Sequence, residues 1–313
     1  MTALSTRALL AFSSPAFALA ALGLPIVVVL PPLYAELGLG LTAVGTIFMA
    51  ARFFDVVTDP TFGVLGDRFN TRWGRRGPAM VLGLPVLVLG VYLAFMPGHS
   101  ISAASVLTAM LVLYLGSTVL SISHAAWASE LSDDYDKRSR IMGYLQFFAL
   151  LGSLVVLLAV AALEFFEAPS MRARSEVMGW IILISLPLTT ALAVFFNHEA
   201  PAVPKPHLAW RDALTSLSAN RPLRRLLLAD LLMGLQGGIN GSVHFFFIGQ
   251  VLQLPQLASI CLVAIFVTGL LCVPIFLKLS YRIGKHRALC WGAIQSSIAT
   301  SFLFFLPAGS TWL

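Results

Sequence analysis

Charged residues are scarce in this chain of 313 residues. Asp, Glu, Lys and Arg together make up 11% of it, whereas a soluble globular domain carries about 25%. The three cysteines have neither metal-site nor disulfide spacing. The sequence also lacks HExxH, GxSxG and Walker motifs, so we expect neither an enzyme nor a bound cofactor. Hydrophobic residues make up 58%, and this composition excludes a soluble domain.

Long apolar runs take up most of the sequence. Runs of about 20 apolar residues are long enough to cross a bilayer as helices, so the fold class predicted is all-α, a polytopic transmembrane helical bundle. The predicted spans, nine in number, are residues 10–35, 41–66, 78–97, 102–130, 141–165, 176–197, 224–249, 256–279 and 288–307.

The spans suggest a division of the chain into two bundles and a linker. We expect an N-terminal six-helix bundle over residues 1–197 and an incomplete C-terminal bundle over residues 224–313. Between them, residues 198–223 are predicted to form a cytoplasmic linker. Leu208, Trp210, Leu214 and Leu217 mark a short amphipathic helix within this linker.

Basic residues lie almost entirely on one side of the predicted spans. Of the 20 Lys and Arg residues, all except Arg52, Arg172 and Arg174 lie at the N-terminus or at the loops that follow even-numbered spans. The positive-inside rule assigns this side to the cytoplasm. We therefore expect a multi-pass protein of a bacterial inner membrane, with a cytoplasmic N-terminus, contact with membrane lipid and no nucleic-acid partner.

The second span contains three charged residues, Arg52, Asp55 and Asp59. Spacings of three and four place them on one face of a helix. Counted from Asp67, where the polar loop begins, Asp59 lies roughly 12 Å and Asp55 roughly 18 Å along the helix. Both are therefore near the middle of a hydrocarbon layer about 30 Å thick. Charged groups at that depth usually face a bundle interior or an aqueous cavity and handle ions or substrates.

This pattern predicts a cation-binding site at Asp55 and Asp59. Arg52 and Val56 are predicted to support it, because Pro60 lacks an N–H and leaves the carbonyl of Val56 unpaired. The charge balance allows one shared proton or one bound monovalent cation, such as sodium. The structural alternative is an Arg52–Asp55 ion pair with a solvated Asp59.

Polar residues in other spans are candidates for the wall of a substrate cavity. They are Ser123, His124 and Trp127 in the fourth span, Tyr144 and Gln146 in the fifth, and Gln236 and Asn240 in the seventh. A histidine can exchange a proton near neutral pH or bond to a substrate hydroxyl. The alternative for each residue is a polar contact between neighbouring helices.

Two loops share a short basic pattern. Arg72-Trp73-Gly74-Arg75-Arg76 follows the second span, and Arg282-Ile283-Gly284-Lys285-His286-Arg287 follows the eighth. Each comes after the second helix of its half, which predicts a parallel internal repeat.

The loop after the second span also resembles that of a known family. Gly63-x-Leu65-x-Asp67-Arg68-x-x-x-Arg72-x-Gly74-Arg75-Arg76 is similar to the signature of the major facilitator superfamily. Arg52-x-x-Asp55-x-x-x-Asp59-Pro60-x-x-Gly63 resembles its glycoside-pentoside-hexuronide:cation symporter family. The resemblance implies two halves of about six helices around a central cavity, alternating access, and cation ligation by the two aspartates. It further implies a cytoplasmic gate of Asp67, Arg68, Arg72, Arg75 and Arg76.

The resemblance thus predicts a secondary active transporter that acts as a monomer and couples a proton or sodium ion to symport of a small, carbohydrate-like solute. The chain departs from the family by an uncharged first span and by Leu145 where relatives have an arginine. It also stops just past the ninth predicted span, as a truncated member would. The alternatives are a transporter of a lysolipid or other amphiphile, and an inactive remnant or other non-transporting membrane protein.

Overall fold

The computed structural model describes residues 5–68, 71, 73–98, 100–166, 170–197, 199, 215, 218–253 and 258–302. Within these ranges the secondary structure is helical and there is no β-strand, which confirms the predicted fold class. The helices are α1 (Thr6–Ser13), α2 (Pro15–Val28), α3 (Leu30–Glu36), α4 (Leu41–Arg68), α5 (Arg76–Phe95), α6 (Ala103–Glu130), α7 (Tyr135–Phe166), α8 (Met171–Phe196), α9 (Arg221–Phe246), α10 (Ala258–Ile283) and α11 (Lys285–Phe302), with a π-helix (Phe247–Val251) after α9.

Seven helical segments in this part of the chain are long and apolar enough to cross a membrane. They are Thr6–Val28, Leu41–Gly66, Arg76–Phe95, Ala103–Glu130, Tyr135–Leu163, Met171–Phe196 and Ile260–Ile283. Seven of the nine predicted spans are thereby confirmed as apolar helices. The other two coincide with α9 and α11, which are not in this set, and they stay predictions.

The first predicted span is divided into three consecutive helices. Pro15 has no N–H to donate to the carbonyl of Ala11, and the hydroxyl of Ser14 takes that place at 2.8 Å. The same hydroxyl lies 3.3 Å from the carbonyl oxygen of Thr189 in α8. A second break follows Val28, just before the Pro31-Pro32 pair. The breaks are local effects of proline within a continuous apolar run.

Helices α5 and α6 cross with their backbones in close approach. A Cβ added at Gly116 would lie 2.4 Å from the backbone nitrogen of Leu87, and one added at Gly90 would lie 2.4 Å from the Cα of Leu113. Small residues are typical where membrane helices approach this closely. The buried core extends from this crossing to α1–α3, where the Tyr34 hydroxyl donates to the carbonyl of Ala94 at 2.8 Å.

The two loops of the internal repeat share a backbone feature. Gly74 has φ of +112° and Gly284 has φ of +90°, a left-handed region that glycine enters without steric cost. Each glycine precedes a helix start, at Arg76 and at Lys285. The repeat predicted from the basic pattern therefore extends to backbone conformation.

The start of α7 is fixed by Asp134. Its carboxylate accepts hydrogen bonds from the backbone N–H groups of Asp136 and Lys137, both at 2.9 Å. The bond from Lys137 contributes most to holding the pKa of Asp134 below its usual value. An ionised carboxylate at a helix N-terminus supports the first turn, because unpaired N–H groups point toward it.

The chain forms two compact units, which are described separately. The first comprises Met1–Ala202 and Val263–Ala288, and the second comprises Val203–Leu262 and Leu289–Leu313. The predicted division at residues 197 and 224 stays a prediction. The predicted amphipathic helix at Leu208 to Leu217 falls almost entirely outside the described residues.

The α5–α6 crossing gives a first prediction. Gly116→Ala places a methyl group against the backbone of Leu87 and should lower the free energy of unfolding by about 1–3 kcal/mol. Thermal unfolding of the purified chain in detergent measures the change. The control is Gly45→Ala in α4, where an added Cβ meets no atom within 4 Å and the change should be neutral or slightly stabilising. Equal stability of the two variants would contradict the close crossing.

Candidate functional site

Arg52, Asp55 and Asp59 lie on one face of α4, as predicted, and line the same cavity. A guanidinium nitrogen of Arg52 is 3.8 Å from a carboxylate oxygen of Asp55. The Asp55 side chain is 22% exposed and that of Arg52 is 58% exposed. At 3.8 Å the pair is a loose ion contact rather than a hydrogen bond, so Arg52 offsets charge without occupying the carboxylate fully.

Helix α6 supplies the second partner of Asp55. The hydroxyl of Thr118 donates to Oδ1 of Asp55 at 3.0 Å. One turn away, the ring of Tyr114 lies under the guanidinium of Arg52, with 5.2 Å between the Arg52 Cζ atom and the ring centroid. A cation held over an aromatic face is stabilised by the ring quadrupole. Two residues of α6 thus fix the directions of Arg52 and Asp55.

Both aspartates line one cavity of about 230 Å³ between α2, α4 and α6. Asp59, which is exposed, reaches the same cavity as Asp55. The lining residues are Leu19, Leu22, Gly23 and Ile26 from α2, Arg52, Asp55 and Asp59 from α4, and Tyr114, Ser117, Thr118 and Ser121 from α6. The structure therefore brings the predicted cation-site carboxylates together with a hydroxyl wall.

Val56 contributes through its backbone at most. Its side chain is 69% exposed, and Pro60 lies inside α4, where it cannot donate to the Val56 carbonyl. The neighbouring carbonyl, that of Val57, accepts a hydrogen bond from the hydroxyl of Thr61 at 2.7 Å. The role predicted for the free carbonyl stays a prediction.

A second polar cluster joins the N-terminus of α5 to the C-terminus of α6. Guanidinium nitrogens of Arg75 and Arg76 lie 2.6 Å and 3.2 Å from the same oxygen of Glu130. Both arginine side chains are buried, and a buried guanidinium requires a paired charge. Of the other predicted gate residues, Asp67 and Arg68 form the last positions of α4, and Arg72 lies outside the described residues.

Glu199 completes this cluster from the segment after α8. Its carboxylate accepts from the backbone N–H of Arg76 at 2.8 Å and from that of Gly77 at 3.1 Å. A carboxylate here caps the unpaired N–H groups of α5 and complements the helix dipole. A Cβ at Gly74 would lie 2.4 Å from the Glu199 carboxylate, so a larger residue here would displace Glu199, and the φ of +112° independently favours glycine.

The cavity residues predicted in the fourth span lie elsewhere. His124 is 4% exposed, and its Nε2 is 2.8 Å from the carbonyl oxygen of Phe12. Trp127 is also buried and meets the Phe12 ring edge-on, with centroids 5.3 Å apart. Ser123 is buried beside a separate cavity of about 250 Å³ between α4, α5 and α6. His124 and Trp127 contact a neighbouring helix and Ser123 lines another cavity, and their predicted role toward a substrate stays a prediction.

The remaining predicted cavity residues do not line the cavity that contains Asp55 and Asp59, called the aspartate cavity below. Tyr144 is half-buried, and the guanidinium of Arg140 lies 5.8 Å from its ring centroid. Gln146 is exposed on α7. In the second unit, Gln236 donates to the Ser296 hydroxyl at 3.3 Å, and Asn240 is exposed.

Four residues of these clusters were missed from the sequence: Tyr114, Thr118, Glu130 and Glu199. The sequence feature that could have indicated Thr118 is the group of hydroxyl residues in the fourth span, to which Ser117 and Ser121 also belong. Glu130 ends a predicted span and Glu199 lies two residues after another, and an acidic residue at such a position is easily taken for a solvated one. Their partners come from other helices, which sequence spacing does not reveal.

The fold and these clusters define a multi-pass helical membrane protein with charged residues inside its bundle, an arrangement typical of secondary transporters. The chain belongs to the family described as MFS/sugar transport protein, whose model matches residues 11–313. This membership confirms the predicted superfamily. The family is one of transporters, not of enzymes.

Several curated proteins are similar to the chain. The uncharacterized symporter YnaJ of Bacillus subtilis is 24% identical over 287 residues, which cover 88% of this chain and 61% of that protein. The isoprimeverose transporter of Lactiplantibacillus pentosus is 24% identical, with 85% and 57% covered. The inner membrane symporter YicJ of Escherichia coli is 23% identical, with 84% and 58% covered. The chain thus spans about three fifths of the length of these relatives.

The second polar cluster gives a second prediction. Glu130→Gln removes the charge shared by two buried arginines and should lower the free energy of unfolding by about 1–3 kcal/mol. Thermal unfolding in detergent measures the loss. The matched control is Glu176→Gln, which breaks a half-exposed i,i+4 pair with Arg172 at 3.0 Å and should cost only about 0.3–0.5 kcal/mol. A loss no larger than in the control would show that Glu130 does not hold the arginines.

Proposed function

We propose that this protein is a cation-coupled secondary transporter that carries a carbohydrate-like solute by alternating access. In this proposal, a proton or a sodium ion binds at Asp55 and Asp59, and its downhill entry drives symport of the solute. The protein would act as a monomer in a bacterial inner membrane, with its N-terminus in the cytoplasm.

The observation that carries the proposal is the shared cavity of the two aspartates inside an apolar helix bundle. Two carboxylates and one guanidinium give this site a formal charge of −1, which one monovalent cation neutralises. Carboxylate and hydroxyl oxygens are also the ligands that hard cations prefer, and Asp55 and Thr118 place such oxygens 3.0 Å apart. The cavity therefore suits one small cation.

Arg52 gives the site a means to release its cation. The guanidinium is largely exposed to the cavity, and 3.8 Å separates it from Asp55. When no cation is bound, the Arg52 guanidinium would move closer to Asp55 and neutralise its charge. When a cation binds, the guanidinium would be displaced toward the ring of Tyr114. In an inside-negative membrane, entry of one positive charge yields about 2.3 kcal/mol per 100 mV.

The cluster of Arg75, Arg76, Glu130 and Glu199 is proposed as part of the cytoplasmic gate. It ties α5 to α6 and to the segment after α8 through charge-assisted contacts. Such contacts exist in one arrangement of the helices and are lost in another, as alternating access requires. Asp67, Arg68 and Arg72 are proposed as further members of this gate.

The names of the relatives support the solute class and the coupling. One is an isoprimeverose transporter and two are symporters. A carbohydrate-like solute is therefore the first class to test, with a lysolipid or other amphiphile as the alternative. A non-transporting membrane protein would retain the fold and lack cation-dependent uptake.

Neutralising the aspartates tests the coupling. Asp55→Asn and Asp59→Asn should each lower apparent cation affinity by about tenfold or more, because a charged ligand becomes neutral. Proteoliposomes with the full chain, an imposed sodium or proton gradient and radiolabelled xylosides or glucosides provide the uptake measurement. Asp133→Asn is the control, since that carboxylate is 90% exposed. Unchanged cation dependence in both site variants would reject the assignment.

Thr118 gives a separate test of the site. Thr118→Val removes the hydrogen bond to Asp55 and should reduce apparent cation affinity by about tenfold, whereas Thr118→Ser should preserve it. Thr108→Val is the control on α6, because that exposed hydroxyl donates only to the carbonyl of Ala104. Titration of cation-dependent fluorescence of the purified chain measures affinity without transport. Equal effects of the two valine variants would show that Thr118 has no role in cation binding.

A further inference from the structure

Tyr114 of α6 is a buried residue in the lining of the aspartate cavity. It is 4% exposed, and its hydroxyl oxygen has no hydrogen-bond partner in the described part of the chain. A buried hydroxyl without a partner is unfavourable. The ring does make a contact, because the Arg52 Cζ atom lies 5.2 Å from the ring centroid. The aromatic face is therefore the part of Tyr114 that contacts a charged group.

The two oxygens of the Asp55 carboxylate lie near different groups. Oδ1 accepts from the Thr118 hydroxyl at 3.0 Å, whereas Oδ2 is 3.8 Å from a guanidinium nitrogen of Arg52. Thr118 and Tyr114 are four residues apart, so they lie one turn apart on the same face of α6. One of them contacts Asp55 and the other contacts Arg52. Oδ2 is thus the oxygen for which Arg52 and a bound cation would compete.

The guanidinium of Arg52 is held by two weak contacts. Its side chain is 58% exposed, and in the described part of the chain it contacts the carboxylate of Asp55 and the ring of Tyr114. A closer approach to Asp55, at about 2.9 Å, would form a charge-assisted hydrogen bond and occupy Oδ2. The attraction of a cation to the face of an aromatic ring holds the guanidinium where it is and opposes this approach.

From this geometry we infer that Tyr114 is a positioning residue of the cation site, which keeps Arg52 from closing on Asp55. The ring acts through Arg52 and does not contact the cation. With the guanidinium held back, Oδ2 of Asp55 stays available, and cation affinity is higher than it would be without the ring. The hydroxyl is not needed for this role. The inference rests on the proposed cation coupling and adds a residue that regulates it.

Substitutions at Tyr114 separate the ring from the hydroxyl. Tyr114→Leu should lower apparent cation affinity by about fivefold to tenfold, the order expected for loss of one partly desolvated cation–π contact. Tyr114→Phe should stay within about twofold of the wild-type affinity, because it keeps the aromatic face and removes only the hydroxyl. Tyr92→Leu on α5 is the control and should leave the affinity unchanged, since Tyr92 is 52% exposed and lies outside the cavity lining.

Titration of the full chain in nanodiscs, without any solute, measures the affinity. Sodium chloride is exchanged for choline chloride at constant ionic strength, and a second titration adds acid in sodium-free buffer. Tryptophan fluorescence reports the midpoint for either ion, and none of the variants alters a tryptophan. If Tyr114→Leu does not fold, Tyr114→Met takes its place, because the flexible methionine side chain adapts to the space of the ring and also lacks an aromatic face.

Removal of Arg52 distinguishes positioning from packing. In an Arg52→Gln background no guanidinium can close on Asp55, so Tyr114→Leu should change the midpoint by less than about twofold. The same loss in both backgrounds would show that Tyr114 only supports packing and would overturn the inference. Loss of all cation binding in Arg52→Gln itself would also overturn it, since Arg52 is inferred to compete with the cation. Equal losses in Tyr114→Leu and Tyr114→Phe would assign the effect to the hydroxyl and overturn it as well.

The same titration of Asp55→Asn and Asp59→Asn separates this inference from the proposed function. No response of the wild-type chain to either ion, or unchanged midpoints in both aspartate variants, would reject the proposed function. Shifted midpoints in these variants, with no larger shift in Tyr114→Leu than in Tyr92→Leu, would reject the role of Tyr114 alone.

Discussion

A carboxylate within an apolar bundle must obtain its partners from the protein, because the surrounding hydrocarbon offers none. Asp55 meets this requirement through Thr118 at 3.0 Å and Arg52 at 3.8 Å. The contact with Thr118 ties α4 to α6, and Asp59 lines the same cavity. Asp55 and Asp59 meet this constraint differently, because Asp55 is paired within the protein, whereas Asp59 is exposed at the cavity.

Helix α6 is common to both polar clusters. It carries Thr118 at the cavity and Glu130 at its C-terminus, roughly 18 Å apart along the helix axis. Helix α5 packs tightly on α6 through Gly90 and Gly116 and begins at the arginines that Glu130 holds. A movement of α6 would therefore change both clusters together. This provides a physical route by which cation binding and gate opening can be linked in the proposed mechanism.

The first span has a complementary role. It contains no charged residue between Ala8 and Ala35, and its α2 segment contributes Leu19, Leu22 and Ile26 to the lining of the cavity, to which α6 contributes hydroxyls. His124 belongs to the packing of this span, since it bonds to the carbonyl of Phe12 near the break before α2. The departure from the family pattern that is visible in the sequence thus has a structural counterpart in the chemistry of the cavity.

The sequence by itself determined the membrane helices, the shared face of Arg52, Asp55 and Asp59, and the family, because hydropathy and helical periodicity act over a few turns of chain. Only the tertiary structure decided the partners. Thr118 is 63 positions from Asp55, Glu130 is 55 positions from Arg75, and Glu199 is 123 positions from Arg76. It also placed His124 against a backbone carbonyl rather than in the aspartate cavity. Contacts of this kind depend on how helices cross, which local sequence pattern does not specify.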